Sequence, residues 1–246
     1  MGMPAPHERR HRLPLTRQTW ERMDRCIAAE FMGTAILVTA IVGAGVMGTR
    51  LSQNLGLALL ITVVSVVMTL GVLIWVIAPI SGAHLNPVIT LVSLFERQMR
   101  WPWALAFMAA QFTGALAGVA LANLMFEKPA YHVARTQLTG WPIWLGEIIA
   151  TAGLVFVVGA VIRTKKAYLA PILVAAWVGG ACFFTSSTSF ANPAVTLARA
   201  FSDTFAGIAL SSVPMFIVVQ LIGAAIGALF LWIFYDPRVL ERQAAK

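Results

Sequence analysis

Charged residues are scarce in this chain and unevenly placed. Only 11% of its 246 residues are Asp, Glu, Lys or Arg, whereas a soluble domain carries about a quarter. The charges gather at both ends and in three short connections, and the runs between them are apolar, with a mean hydropathy of +0.80 over the chain. This distribution argues against an ordinary soluble domain and is typical of a protein that crosses a membrane several times.

Residue patterns for catalysis are also missing. There is no G-x-S-x-G elbow, no H-E-x-x-H and no phosphate loop, and the four histidines are scattered, at 7, 11, 84 and 132. We therefore expect neither an enzyme nor a metal or other cofactor. The two cysteines, Cys26 and Cys182, lie near the start of the first apolar run and within the fifth. We expect no disulfide between them and interpret both as small buried apolar residues.

Six apolar runs approach the length needed to cross a membrane. A spanning helix takes about 20 mostly apolar residues, and the runs cover 27–48, 54–78, 102–126, 143–162, 168–184 and 211–234. The first run is long and follows a polar, basic stretch of 25 residues, so it is interpreted as a retained helix and not a cleaved leader. The predicted fold class is all-α, with six transmembrane helices.

The basic residues indicate how the chain lies in the membrane. A net charge of +8 could suggest nucleic acid, but the placement of the charges argues against it. With the N-terminus inside, fourteen of the eighteen Lys and Arg residues fall on the inner side, all except Arg50, Lys128, Arg135 and Arg199. This asymmetry predicts that both termini are cytoplasmic, in contact with membrane lipid and without a nucleic-acid partner.

The chain repeats itself internally. Three stretches of the first half recur in the same order in the second: 29–34 at 146–151, 86–91 at 192–197, and 111–115 at 220–224. Each half holds three spans, an odd number, so the second copy must be inverted. Inverted repeats with interrupted segments at matching positions indicate a path near the middle of the bilayer.

The matching interruptions are two Asn-Pro segments. Residues 79–97 and 185–202 are too short and broken to span, yet they are mostly apolar. Asn is a strong N-cap and Pro suits the first helical turn, so each segment is predicted to form a loop followed by a half-helix that starts near Asn86 or Asn192. Inversion would bring the two electropositive helix ends together at the centre. Water or a hydroxyl group could accept from the Asn amides there, while a cation or proton would be opposed.

At this point the chain resembles the major intrinsic protein family, the aquaporins and aquaglyceroporins. The resemblance covers about residues 26–235 and rests on Asn86-Pro87-Val88, where Ala usually replaces Val, and on Asn192-Pro193-Ala194. It implies an aquaporin-like bundle of six transmembrane helices and two re-entrant half-helices, assembled as a homotetramer with one pore per subunit. The expected divisions are a basic cytoplasmic tail 1–25, a channel domain 26–235 and a cytoplasmic tail 236–246; repeat one covers 26–126 and repeat two 143–235.

The resemblance also implies roles for single residues. Glu30 and Glu147 would be buried carboxylates that brace the two pore loops. A lone Glu near a helix start ordinarily compensates the helix dipole, but the duplication favours a role inside the bundle. Backbone carbonyls would form a ladder of acceptors along the pore, contributed by Gly82, Ala83, His84, Thr188, Ser189 and Phe190.

The selectivity filter is where the chain departs from the family. Family members normally carry Arg directly after the second Asn-Pro-Ala, and here that position is Val195. Counted by spacing, the other filter positions are Val66, Gly180 and Ser189, so we expect a wide constriction with no aromatic or charged side chain. Arg199 lies one turn beyond Val195. It would either stand in the outer vestibule and replace the missing charge, or pair with Asp203, and the salt bridge is favoured.

These features predict a passive channel for small uncharged solutes. In lacking the filter Arg, the chain is similar to the bacterial aquaporin subgroup associated with arsenic resistance. This resemblance implies that the solutes are glycerol, metalloid hydroxides such as arsenous acid, methylated arsenicals and water. It also implies a bacterial inner membrane as the location. A secondary transporter is the main alternative, since it too uses inverted repeats and broken helices. Its ion site would have to use Glu30 or Glu147. A non-transporting junction protein is a third interpretation, but no extended outer adhesive segment supports it.

Overall fold

The computed structural model describes residues 17–235, and the side chains of 22–235. Most of the two predicted tails, residues 1–16 and 236–246, lies outside the described residues. The first helix begins at Arg17, so residues 17–25, assigned to the N-terminal tail from the sequence, are helical. The described part contains helices, turns and loops and no strand, which confirms the all-α class.

Six long helices and two short ones make up the fold. Each of the six is long and apolar enough to cross a membrane, and they confirm the six predicted spans. The long helices are α1 (Arg17–Leu51), α2 (Leu55–Ser81), α4 (Trp101–Met125), α5 (Trp141–Arg163), α6 (Ala170–Phe184) and α8 (Val213–Phe234); the short ones are α3 (Pro87–Phe95) and α7 (Pro193–Arg199). Single 3₁₀ turns, Ala167–Leu169 and Leu210–Ser212, precede α6 and α8.

Small residues let the long helices approach closely in matching pairs. In repeat one a Cβ added at Gly118 of α4 would collide with the carbonyl oxygen of Ala35 on α1. In repeat two a Cβ at Gly227 of α8 would collide with the carbonyl oxygen of Ala152 on α5. Helices α4 and α8 each carry a second Gly one turn earlier. Small residues at this spacing are typical of tight packing between transmembrane helices. The two crossings are equivalent, as the internal duplication predicts.

The short helices lie inside the bundle. Helix α3 packs against α4, α5 and α8, and α7 packs against α1, α4 and α8, so each half-helix touches helices of both repeats. Large apolar side chains on the outer surface are exposed, among them Met68, Trp75 and Ile172. A surface of this kind is stable against lipid and not against water. The chain is an integral multi-pass membrane protein.

Candidate functional site: a passage between two half-helices

The two half-helices begin at the predicted residues and in the same way. The Oδ1 atom of Asn86 accepts from the backbone N–H of Val88 at 2.9 Å, and the Oδ1 atom of Asn192 accepts from the N–H of Ala194 at 3.0 Å. Proline occupies the first turn of both helices, where its missing N–H leaves no bond unmade. The predicted capping by both Asn residues is confirmed.

The capped ends face each other at the centre of the bundle. The Nδ2 atom of Asn86 donates to the carbonyl of Ala191 at 2.8 Å, and the Nδ2 atom of Asn192 donates to the carbonyl of Leu85 at 2.8 Å. Each acceptor directly precedes the other capping Asn, so the two ends are tied together across the repeats. A primary amide has two N–H groups, which leaves one on each Asn for a molecule beside it.

Glu30 holds the loop of repeat one from behind. Its side chain is fully buried and accepts from the backbone N–H groups of His84 and Leu85 at 2.9 and 2.7 Å. It also accepts from Ser81 Oγ at 2.6 Å and Gln111 Nε2 at 2.8 Å. Four charge-assisted hydrogen bonds compensate the cost of burying the carboxylate.

Glu147 does the same in repeat two. Its fully buried carboxylate accepts from the backbone N–H groups of Phe190 and Ala191 at 2.8 and 2.9 Å, and from Gln220 Nε2 at 2.7 Å. No acidic residue lies in the first turn of α1 or α5. The interpretation as a helix-dipole partner is therefore wrong for both Glu30 and Glu147, and the bracing contacts are present.

These contacts fix the direction of the loop carbonyls. The N–H and C=O of a trans peptide unit point in opposite directions, and the described chain has no cis peptide bond. Because the N–H groups of His84 and Leu85 point at Glu30, the carbonyls of Ala83 and His84 point away from it. The N–H of Ala83 is turned toward Ser81 Oγ, at 3.2 Å, so the carbonyl of Gly82 has the same direction.

The loop of repeat two has the same arrangement. The N–H groups of Phe190 and Ala191 point at Glu147, so the carbonyls of Ser189 and Phe190 point away from that carboxylate. The N–H of Ser189 is bonded to Ser187 Oγ at 3.2 Å, which turns the carbonyl of Thr188 the same way. All six residues predicted to form the ladder line one cavity: Gly82, Ala83, His84, Thr188, Ser189 and Phe190.

This backbone is strained at equivalent points of the two loops. Ala83 and Leu85 have φ of 50° and 49°, and Ser189 and Ala191, each 106 positions later, have φ of 53° and 47°. Non-glycine residues adopt this left-handed region at a cost of about 1–3 kcal/mol each. The hydrogen bonds to Glu30 and Glu147 oppose that cost, so the carboxylates set the shape of the loops.

The cavity runs along the bundle between the two loops. It has a volume of about 590 Å³ and is lined from Gln98 at one mouth to Gly207 at the other. Both capping residues, Asn86 and Asn192, line it, and the walls on either side are mostly apolar. A space of this volume is large enough for several small molecules.

Three of the four predicted filter residues line this cavity. Val66, Ser189 and Val195 do so, but the prediction for Gly180 is wrong. Gly180 is exposed, and a Cβ placed there would meet only the ring of Phe184 on the same helix within 4 Å. It faces the outside of the bundle.

The face that α6 turns to the cavity explains the error. Val174, Val178 and Cys182 line the cavity at intervals of four residues, which is one face of an α-helix. A residue two positions away from that row is rotated by about 200°, as Gly180 is. Cys182 is half-buried, so its interpretation as a small buried apolar residue is wrong, whereas Cys26 is buried as predicted. Both thiols are free.

Arg199 also lies on the cavity wall. Its guanidinium carbon stands 3.4 Å from the centroid of the Phe190 ring, and its Nε donates to the carbonyl of Ala206. The favoured salt bridge with Asp203 is wrong, because the carboxylate of Asp203 accepts from the backbone N–H of Arg135 at 3.1 Å and lies 3.8 Å from its Nε. Arg199 is instead half-buried near the mouth that Gly207 lines.

Two glutamines and two threonines were missed as parts of the site. Gln111 Nε2 donates to Thr90 Oγ1 at 3.0 Å, and Gln220 Nε2 donates to Thr196 Oγ1 at 2.9 Å. Each glutamine thus joins a half-helix to the bracing carboxylate of its own repeat. A signal was present, since all four residues belong to the stretches that recur in the two halves.

Comparisons with known proteins point to one family. The family model described as major intrinsic protein matches residues 17–190 and 174–246. The chain is 39% identical over 229 residues to aquaglyceroporin AqpS of Rhizobium meliloti (strain 1021), covering 93% of this chain and 97% of the relative. It is 30% identical over 238 residues to aquaporin NIP2-2 of Zea mays, covering 91% and 75%.

A solved structure shares the fold. The X-ray structure of the aquaglyceroporin from Plasmodium falciparum superposes with a TM-score of 0.64 at 19% identity, covering 88% of this chain and 98% of that one. With the family model matching nearly all the described residues and a relative 39% identical over nearly its whole length, the chain belongs to the major intrinsic protein family, whose members are membrane channels for small neutral solutes and not enzymes.

Proposed function

We propose that this protein is a passive channel for small uncharged hydroxylated solutes, namely glycerol and metalloid hydroxides such as arsenous acid, with methylated arsenicals and water also passing. The observation that carries the proposal is the cavity between two facing half-helix ends, which is lined by Asn86, Asn192 and the residues of both loops; we propose that the loop carbonyls act there as a ladder of acceptors. Hydroxyl groups both donate and accept. Such a solute can therefore exchange its water partners for carbonyls and amides along the path.

The filter positions favour solutes larger than water. Val66 and Val195 line the cavity with short apolar side chains, and the α6 residues that line it, Ala170, Val174, Val178 and Cys182, are small as well. None of them is aromatic or charged, so we expect these side chains to leave a wider path than a ring of aromatic residues would. A water-selective constriction needs bulk and tightly placed donors, whereas an apolar, wider one admits a three-carbon polyol or a trihydroxylated metalloid.

Passive flux is favoured over ion-coupled transport by the placement of the acids. Coupling requires an ion or proton site in the path, typically a carboxylate. Neither Glu30 nor Glu147 lines the cavity, and the oxygens of both are bonded to loop and glutamine donors. Among the described residues that line the cavity, none is acidic.

The setting of the channel is part of the proposal. The relative AqpS is a bacterial protein called an aquaglyceroporin, which supports a bacterial inner membrane and glycerol as a solute. The excess of Lys and Arg on one side supports cytoplasmic termini. The tails 1–25 and 236–246 flank the channel domain 26–235, and residues 17–25 form the start of α1. We also propose that the channel is a homotetramer with a separate pore in each subunit and that it contacts membrane lipid.

Light scattering from reconstituted vesicles tests the solute range. Purified protein in proteoliposomes is challenged with water, glycerol and arsenous acid gradients, beside empty liposomes. Val195→Arg, which puts a long cation at the constriction, is expected to lower glycerol and arsenous acid flux about tenfold or more relative to water, since a side chain several ångströms longer fills the path. Val195→Ile is the matched control, because it changes the same position but keeps a short, uncharged side chain, and it should leave the glycerol flux close to that of the parent.

The outcomes separate the parts of the proposal. If Val195→Arg left the flux of glycerol and the flux of arsenous acid unchanged, the filter argument would be contradicted. Flux that saturates at low solute and stops when a proton or sodium gradient is removed would contradict passive conduction and favour a transporter. Water flux without glycerol flux would contradict the proposed solute class.

A further inference from the structure

The two half-helices turn equivalent positions toward the passage. In α3 the third and seventh residues after the capping Asn are Ile89 and Ser93, and both line the cavity. In α7 the same positions are Val195 and Arg199, and both line it as well. Positions four apart share one helix face. The symmetry of the fold thus places Arg199 in the passage, just as it places Ser93 near the opposite mouth.

Arg199 has no neutralising partner in the part of the chain that the structure describes. No carboxylate lies within salt-bridge distance of it, since Asp203 is turned to Arg135. Its contacts are the face of the Phe190 ring and the carbonyl of Ala206, and both suit a guanidinium without removing its charge. It is the only Lys, Arg, Asp or Glu among the described residues that line the cavity.

These contacts also fix the guanidinium in place. Stacking on Phe190 determines the plane of the group, and the bond from Nε to the Ala206 carbonyl determines its rotation. The terminal nitrogens still carry four N–H groups. A fixed cation with free donors beside a water-filled path opposes cations and at the same time hydrogen-bonds to hydroxylated solutes.

We infer that Arg199 is the cation barrier of this channel, placed one helical turn away from the constriction. Four residues of helix separate it from Val195 by about 6 Å. Charge rejection and size selection are therefore carried by different residues: Arg199 repels cations at one mouth, and the apolar side chains around Val195 set the width. The inference rests on the proposed channel function and adds a specificity-determining residue to it.

The size of the barrier follows from the distance. A monovalent cation about 6 Å from the guanidinium, at an effective dielectric constant of about 20, is disfavoured on the order of 100-fold. Salt screens the interaction at the mouth, so a change of about 10- to 100-fold is expected in the measurement. The facing half-helix ends add a second positive region further in, and their contribution stays in every variant below.

Proteoliposomes test this by the ratio of sodium to glycerol permeability, which is independent of how much folded protein is inserted. Arg199→Gln keeps amide donors and removes the charge, and it is expected to raise the ratio about 10- to 100-fold. Arg199→Lys keeps the charge and is expected to stay near the parent ratio. The double variant Val195→Arg with Arg199→Gln restores a cation one turn away. Because an arginine at position 195 also obstructs glycerol, its sodium permeability is compared with that of water, and this sodium-to-water ratio is expected to fall back from the value of Arg199→Gln alone.

Each other outcome has a definite meaning. An unchanged ratio in Arg199→Gln, with glycerol still conducted, would overturn the inference and leave the proposed function standing. If Arg199→Lys raised the sodium-to-glycerol ratio as much as Arg199→Gln does, the inference would also be overturned, because loss of the charge would not explain the rise. Absence of glycerol flux in the parent protein would instead overturn the proposed function.

Discussion

Replacing Glu147 by Gln removes one negative charge from the centre of repeat two while keeping the shape of the side chain. The carboxylate is fully buried and accepts from the N–H groups of Phe190 and Ala191 and from Gln220. A glutamine offers one oxygen and one NH₂ group. Whichever way it is turned, its NH₂ group faces a backbone or side-chain donor, so at least one buried N–H loses its partner.

The cost can be worked out from these bonds. Hydrogen bonds to a charged group contribute about 1.5–3 kcal/mol and neutral ones about 0.5–1.5 kcal/mol, so the bonds that survive weaken by about 1 kcal/mol each. A buried donor left unpaired adds about 1–3 kcal/mol. The sum is about 3–6 kcal/mol for Glu147→Gln, which corresponds to a fall in melting temperature on the order of 10 °C for a chain of this size.

Thermal unfolding of detergent-solubilised protein, followed by tryptophan fluorescence, measures this shift against the parent. Glu127→Gln is the matched control, because the Glu127 side chain is exposed and the same chemical change there should leave the midpoint within about 1 °C. Glu30→Gln should lower the midpoint at least as far, since Glu30 accepts one more hydrogen bond, from Ser81 Oγ. Glycerol flux should fall in both buried variants, since the strained loops lose their support.

An unchanged midpoint in Glu147→Gln, together with unchanged flux, would refute the reasoning. It would mean that the loop keeps its left-handed residues without a charged acceptor, and that the hydrogen bonds seen at Glu147 carry little free energy. A lowered midpoint in Glu127→Gln of equal size would refute it as well, because the loss would then not be specific to burial.

Two further predictions concern helix faces. Cys182→Trp is expected to block glycerol flux because Cys182 lines the cavity, whereas Gly180→Trp should still conduct because Gly180 faces outward. Glycerol flux in reconstituted vesicles distinguishes the two variants. Equal blockage by both would contradict the helix register. Gly118→Ala should lower the melting temperature because the added methyl group meets the carbonyl of Ala35. Gly43→Ala, where the added methyl group has ordinary contact distances, should be neutral or stabilising. Similar melting temperatures for the two variants would contradict the close crossing of the helices.

The scaffold could be predicted from the sequence because it is governed by strong local rules. Apolar runs about 20 residues long must be helices in a membrane, and Asn followed by Pro starts a helix with its N–H groups satisfied. The positions of Asn86 and Asn192 in the duplication then fix the meeting of the half-helices. The duplication favoured a place inside the bundle for Glu30 and Glu147, and the resemblance to the family implied that they brace the loops.

The cavity wall could be predicted only in part. Gly180 was placed by counting from Asn192, but the segment between α6 and α7 is a turn and loop of irregular shape, and one or two residues there rotate the helix face by 100–200°. Arg199 was expected to pair with Asp203 because residues four apart on a helix are neighbours. Helix α7 ends at Arg199, so the spacing rule does not apply beyond it and Asp203 turns to Arg135 instead.

The two halves differ in a way that explains why the filter is hard to predict. Buried positions behind the loops hold the same residue in both repeats, because each loop presents the same N–H groups to an interior that cannot hydrate them. A carboxylate accepts from these groups, and a glutamine donates to the carboxylate from its other side. Positions that face the passage meet water or solute, so exchanging one side chain for another leaves no buried group unpaired. The free energy of folding therefore constrains the residues that support the loops, whereas the residues that face the lumen differ with the selectivity of the channel. The supporting pairs are Glu30 and Glu147, Gln111 and Gln220, and Thr90 and Thr196, whereas the lumen pairs are His84 and Phe190, Ile89 and Val195, and Ser93 and Arg199.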